Sequence, residues 1–155
     1  MTLTALLREE LAATERLEQF LRREYDALKS RDLVGLEQII TEKQTCVDRL
    51  RGLIADRLAY LRERGASADA PGLAAQVDAL PSPERDETNG LWAALERAAE
   101  RVRTQNEVNG TVIAASRNHV ERMLAILRGR DSLDFLYDHD TRKVFGGGSQ
   151  PIAKA

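Results

Sequence analysis

The sequence predicts an all-α protein, an elongated antiparallel bundle of three long helices with a flexible C-terminal tail. Two observations lead to this prediction. Hydrophobic residues make up 43% of the 155 residues but aromatic residues only 5%, and such a mixture, rich in Leu, Ala, Glu and Arg, favours helices over a β-sandwich. The four prolines lie at positions 71, 81, 83 and 151, so two long stretches contain no helix breaker.

Hydrophobic spacing divides the first stretch into two helices. Leucines recur at three- and four-residue steps from Leu3 to Leu28, as one buried face of a helix requires, and predict a helix over residues 3–28. Asp32 can cap a second helix over residues 33–64, because its carboxylate can accept hydrogen bonds from free backbone N–H groups. Gly65 follows as a residue that can end this helix with a positive φ.

The second stretch holds the longest predicted helix, over residues 84–128. A connector of residues 66–83, rich in Ala, Pro and Asp, precedes it and contains one short amphipathic piece, with Leu73, Val77 and Leu80, that can form two helical turns. The apolar face of the long helix is wide enough to pack against two neighbours. We therefore expect a bundle over residues 1–130, followed by a flexible tail over residues 131–155, which ends in a Gly- and Pro-containing segment without periodicity.

Polar residues interrupt the apolar face of the third predicted helix. When the helices are paired as hairpins, Lys43 lies level with Glu18 on the first helix and close to Asn106 and Asn109 on the third. These four residues are expected to form one polar layer across the bundle. Such a layer either fixes the register of the helices or contacts a ligand or partner, and both interpretations stay open at this stage.

Charge and hydropathy exclude several classes of protein. The 23 basic and 25 acidic residues give a net charge of −2 without a basic cluster, so a nucleic-acid partner is not expected. No apolar run reaches the roughly 20 residues that span a bilayer, so direct membrane insertion is not expected either. The N-terminus lacks the basic region of a secretory signal, and Cys46 is the only cysteine, which together favour a cytoplasmic location.

No group of residues predicts catalysis, a metal site or a cofactor. The segment Tyr137–Asp140 has two Asp and one His too close in sequence to converge on one cation, and it is expected to be a solvated turn. Phosphotransfer at His119 is the remaining enzymatic alternative. The residue lacks the neighbouring lysine and small residue that this chemistry needs, so we expect a half-buried structural histidine. The sequence therefore predicts a binding protein that is not an enzyme.

The order and spacing of several short motifs resemble the FlgN-type flagellar export chaperones. The resemblance lies in a first helix that ends in L-K-S-R-D-x-x-x-L (residues 28–36), in Glu42-Lys43 on the second helix, and in Asn106-x-x-Asn109-Gly110 on the third. It includes Leu136-Tyr137-Asp138 after the last helix, although Thr141 stands where the family commonly has a Gly.

The resemblance implies partners and a division of surfaces. Such chaperones bind hook–filament junction proteins of the FlgK and FlgL type through their C-terminal segments, and deliver them to the cytoplasmic domain of the membrane-bound export gate. Tyr137, with Leu136, matches the family's gate-facing position. For the client, we expect a groove that accepts an amphipathic helix near the end of the third helix. Its candidate residues are Val112, Ile113, Ser116, Val120, Met123, Leu124 and Leu127.

Two alternatives accompany this expectation. A second copy of the chain is a candidate to cover the apolar groove when no client is present, which would give a homodimer. A generic coiled-coil scaffold or dimerising adaptor without a role in export would use the same apolar surface only for self-association. The two differ in whether a client segment dissociates the dimer.

Overall fold

The computed structural model describes residues 1–128, and within them all regular structure is helical. The all-α prediction is thus confirmed for this part of the chain. Four helices follow one another: α1 (Leu3–Ser30), α2 (Leu33–Glu63), α3 (Ala70–Asp78) and α4 (Ser82–Leu127). The predicted tail over residues 131–155 lies outside the described residues.

Helices α1 and α2 form an antiparallel hairpin joined by a tight turn. Helix α1 ends at Arg31, whose backbone is left-handed with φ 57° and ψ 34°. Asp32 caps α2 as predicted, since its carboxylate accepts a hydrogen bond from the Gly35 N–H at 3.0 Å. Beyond α2, Gly65 has the predicted positive φ, at 68°.

Helix α3 lies within the segment predicted to be a connector, so the described chain has four helices and not three. The Asp69 carboxylate caps α3 by accepting from the Gly72 N–H at 2.9 Å, and Pro71 occupies its first turn, where no N–H is needed. Leu73 and Val77 are each only 2% exposed and join a core cluster with residues of the long helices. Burial of one apolar face therefore stabilises this short helix. The cluster contains Leu3, Leu7, Leu61, Leu73, Val77 and Leu95.

Gly72 gives a stability prediction at this position. A Cβ atom built on Gly72 would lie 1.9 Å from the carbonyl oxygen of Ser67, so Gly72→Ala requires a backbone shift. We expect it to lower the free energy of unfolding by about 1–3 kcal/mol, the usual cost of overpacking. Gly52 in α2 is the matched control, because a Cβ there meets nothing within 4 Å and Gly52→Ala should stabilise by up to about 1 kcal/mol. Urea unfolding of both variants tests this, and equal effects would contradict it.

By compactness the chain divides into two units, residues 1–112 and residues 113–155, and helix α4 contributes to both. In the first unit, α1 and α4 run parallel and share polar contacts at intervals along their length. Thr4 Oγ1 lies 2.8 Å from Thr88 Oγ1, and Arg101 Nε donates to Glu18 Oε2 at 3.0 Å. Close to the second of these levels, Leu17, Phe20 and Leu21 of α1 pack with Cys46 of α2 in a second apolar cluster.

Candidate functional site: polar layer and exposed face of helix α4

A polar layer joins three helices near the end of the first unit. Asn109 on α4 is 1% exposed, and its Nδ2 donates to the Leu21 carbonyl oxygen at 2.8 Å and to Glu24 Oε1 at 2.9 Å. Lys43 Nζ on α2 donates to the other oxygen of the same carboxylate, Glu24 Oε2, at 2.5 Å. Gln105 completes the set by donating to Asn109 Oδ1 at 3.0 Å. The Asn109 side chain is satisfied and shielded from water, which favours a register-fixing role over a partner contact.

The membership of this layer differs from the prediction at two of four positions. Lys43 and Asn109 meet, but through Glu24 and not Glu18, and Asn106 is exposed. The difference has a geometric cause: Cα–Cβ bonds tilt toward the N-terminus of a helix, so in an antiparallel pair two long side chains lean toward one another. Lys43 therefore reaches a glutamate more than one turn beyond the residue that lies level with its Cα atom.

Glu18 forms a separate ion pair between α1 and α4. Its carboxylate accepts from Arg101 at 3.0 Å and from Arg22 at 2.6 Å. Burial raises the pKa of Glu18, but the hydrogen bonds and positive charges of Arg101 and Arg22 outweigh burial, so that its pKa lies below the ordinary glutamate value. The folded state therefore favours the charged form.

Because the pKa of Glu18 is lower in the folded chain, its contribution to stability is present above the unfolded glutamate pKa of about 4.3 and is lost as the pH falls through the folded value. We expect Glu18→Gln to unfold more readily than the wild type at pH 7 and to differ little from it near pH 2. Thermal unfolding across this range measures the effect. A stability difference that does not depend on pH would contradict it.

One face of helix α4 changes from buried to exposed along its length. Thr88, Leu95, Ala98 and Asn109 are all at most 5% exposed and occupy this face in the first unit. At 3.6 residues per turn, the face continues through Ile113, Ser116, Val120, Met123, Leu124 and Leu127, within an arc of about 100°. These later residues are all exposed.

The structure places the predicted client-binding residues on this exposed face. Ile113, Val120, Met123 and Leu124 are between 42% and 55% exposed, and Leu127 is 78% exposed. Ser116 is exposed as well, whereas Val112 is half-buried. We refer to the six exposed residues as the α4 stripe: Ile113, Ser116, Val120, Met123, Leu124 and Leu127.

Two residues on the opposite side of the same stretch of helix are less accessible. Ala125 is 5% exposed and Asn118 is half-buried, and they lie about 150–170° around the helix from the middle of the stripe. Exposed apolar side chains are thus concentrated on one side of this stretch. Ile126, which is 52% exposed, lies outside the stripe.

Other predicted sites have different outcomes. His119 is exposed, which corrects the expectation of a half-buried histidine, because it lies on the stretch of α4 after Val112 where nearly every side chain is exposed. Leu136 and Tyr137, the predicted gate contacts, lie outside the described residues. Among residues 1–128, no group of three or more His, Cys, Asp or Glu side chains is arranged to hold a metal ion. In the same residues, no helix is both long and apolar enough to cross a bilayer.

The most buried ion pair of the first unit is not among the contacts predicted from the sequence. Glu10 on α1 accepts from Arg57 Nε at 2.7 Å and from Arg57 Nη2 at 3.2 Å, and the Arg57 guanidinium lies 5.3 Å from the centre of the Trp92 ring. The sequence does contain a signal for this ion pair. Glu10 lies one turn after Leu6 and one turn before Thr14, on the buried face of α1, where a charged side chain needs a partner. Glu24, which sits one turn after Phe20 and Leu21, carries the same signal.

Comparison with known proteins agrees with the fold and the resemblance. A sequence model of the FlgN protein family matches residues 1–143. The chain is similar to the crystal structure of a flagella synthesis protein FlgN from Pseudomonas aeruginosa, with a TM-score of 0.65 and 28% identity over 70% of this chain and 84% of that one. No curated protein sequence matches. Because the family match extends over most of its length, this chain belongs to the FlgN family of flagellar synthesis and export chaperones.

Proposed function

We propose that this chain is a cytoplasmic export chaperone that binds hook–filament junction proteins of the FlgK and FlgL type through their C-terminal segments and delivers them to the flagellar export gate. The observation that supports client binding is the α4 stripe. Its residues follow the i, i+3, i+4, i+7 spacing by which one amphipathic helix packs against another. Contiguous apolar surface of this kind on a soluble chain marks an interaction site.

Met123 and Leu124 lie in the C-terminal third of the exposed stretch, and their chemistry suits a client that folds on binding. Methionine is unbranched and adapts to different packing partners, and leucine fills pockets on a facing helix. The stripe contains no charged residue. A client segment is therefore expected to present an apolar helical face, with its charges toward solvent.

The gate contact rests on the family resemblance. Leu136 and Tyr137 match the family's gate-facing position and lie apart from the α4 stripe in sequence. We propose that one chain holds the client and the gate through different surfaces, so that delivery does not require the client to leave first.

Isothermal titration calorimetry with the C-terminal segment of a junction protein tests client binding. We expect a 1:1 complex and a negative heat-capacity change, because apolar surface is buried and the segment orders as a helix. A scrambled segment of the same composition is the control. Absence of binding at low and moderate salt would contradict the proposal. Light scattering with and without the segment distinguishes the chaperone from the scaffold alternative. A scaffold dimer would keep its mass and would bind no client segment.

A further inference from the structure

A second candidate surface lies between helices α1 and α2, away from the α4 stripe in sequence. It is a groove of about 470 Å³ whose floor contains the buried residues Ala13, Phe20 and Cys46. Burial raises the pKa of the Cys46 thiol even though Arg16 and Arg49 lie near enough to lower it, so the floor carries no charge at neutral pH. Its other lining residues are Glu9, Ala12, Arg16, Glu42, Thr45 and Arg49.

The two walls of the groove have related sequences. Residues 9–20 of α1 read EELAATERLEQF and residues 42–53 of α2 read EKQTCVDRLRGL, so Glu9 and Glu42 begin the two segments and Arg16 and Arg49 follow at the same spacing. The Cys46 thiol donates to the carbonyl oxygen of Ala13 at 3.5 Å, which places these equivalent positions level with each other. Because the helices are antiparallel, the groove has approximate two-fold symmetry about an axis perpendicular to it.

This symmetry arranges four charges at the corners of the groove. Glu9 lies at the same end as Arg49, and Arg16 lies at the same end as Glu42. Within residues 1–128, Glu9, Arg16 and Arg49 form no ion pair, and Glu42 has only a long contact of 3.8 Å with Arg23. The corner charges are therefore available to an external partner.

A second copy of the chain satisfies these charges. When two grooves are stacked with a two-fold axis along the groove, Glu9 faces Arg49 of the partner subunit, and Arg16 faces Glu42 of the partner subunit. With the axis across the groove, Glu9 faces Arg16 of the partner subunit, and the charges are again opposite. A two-fold interface uses one surface twice and must be self-complementary, and the four corner charges meet that condition in both orientations.

We propose that the α1–α2 groove is a homodimer interface, formed by a second copy of this chain and separate from the client-binding stripe. The uncharged floor is covered in the dimer, and the four corner charges form intersubunit pairs. Such pairs favour a second copy as the partner and weaken with salt.

Sedimentation equilibrium of the full chain at several concentrations tests the proposal. We expect the mass to rise from the 17.3 kDa of one chain toward twice that value, and the dimer to weaken at high salt. Ala12→Arg should raise the dimer dissociation constant about ten-fold or more, because Ala12 is exposed in the groove and a long cation there holds the two copies apart. Ala55→Arg is the matched control, an exposed alanine on the opposite side of α2 that should leave dimerisation unchanged.

Three further variants identify the surface. Reversal of all four corner charges together (Glu9→Arg, Arg16→Glu, Glu42→Arg and Arg49→Glu) should preserve the dimer, whereas Arg49→Glu alone should weaken it. Leu124→Asp on the α4 stripe should leave it intact, which distinguishes this interface from self-association through the client surface. A chain that is monomeric at all concentrations, or a dimer lost in Leu124→Asp but kept in Ala12→Arg, would overturn the proposal. Loss of client binding in Ala12→Arg without a change in mass would assign the groove to the client and also overturn it.

Discussion

The Leu124→Asp variant is expected to bind a junction-protein segment at least about 100-fold more weakly than the wild type, a loss of roughly 3 kcal/mol. Leu124 is 42% exposed and lies within the α4 stripe, between Val120 and Leu127. A client helix that covers the stripe would force the new carboxylate into an apolar contact without a partner, and a buried unpaired charge is costly. Truncations at the centre of an interface have effects of this size.

Ile126→Asp provides the matched control for this measurement. Ile126 is 52% exposed on the same helix, but it points about 100° away from the middle of the stripe. The same apolar-to-acidic change there should alter the affinity by no more than about three-fold, less than 1 kcal/mol. Circular dichroism of both variants checks that the helix is intact. Equal losses in the two variants would show that the client does not select the stripe.

The second large effect is expected at the Glu10–Arg57 ion pair, which connects α1 to α2. The side chains of Arg57 and Glu10 are only 14% and 4% exposed. Arg57→Met removes the cation and leaves a buried carboxylate, which should lower the free energy of unfolding by about 3–5 kcal/mol. This is a large share of the roughly 5–15 kcal/mol that stabilise a typical domain. Urea unfolding measures the difference.

The double variant Glu10→Met/Arg57→Met separates the loss of an interaction from the cost of a buried charge. Because it removes both charges and keeps apolar volume, it should recover most of the stability that the single variant loses. Arg103→Met is the surface control, since Arg103 pairs with Glu100 and Glu107 while its side chain is 64% exposed. Arg103→Met should have the same midpoint of urea unfolding as the wild type. A double variant less stable than Arg57→Met would contradict this account.

Local signals in the sequence predicted the parts of the fold that depend on local physics. Asp32 and Gly65 bound α2 as expected, because a cap and a left-handed residue act within one turn of the chain. The face of α2 was harder to predict. Ile39, Cys46, Leu53 and Leu61 are buried there, while Ile40 is 47% exposed. Apolar residues surround most of α2, so hydrophobic spacing alone permits more than one buried face.

Features that depend on contacts between helices were only partly predictable. The polar layer was expected at Lys43 and Asn109. Which glutamate joins it, Glu24 and not Glu18, depends on how far the long side chains lean along the helices. The sequence indicated the short amphipathic piece that forms α3 but not its place in the core, because a nine-residue helix is stable only through the burial of Leu73 and Val77 against distant residues. The exposure of the α4 stripe agrees with the groove expected near the end of this helix, although the spacing of its residues matches the buried face that precedes it.

The polar contacts along α1 fix the register of helix α4 against α1. Thr4, Glu10, Glu18 and Glu24 each have a specific partner at a different level of the bundle. A slip of α4 by a single turn, about 5.4 Å, would break three of these contacts at once and leave carboxylates facing apolar side chains. If clients bind at the α4 stripe as we propose, the stretch of about four turns from Ile113 to Leu127 limits the length of client helix that the stripe can cover.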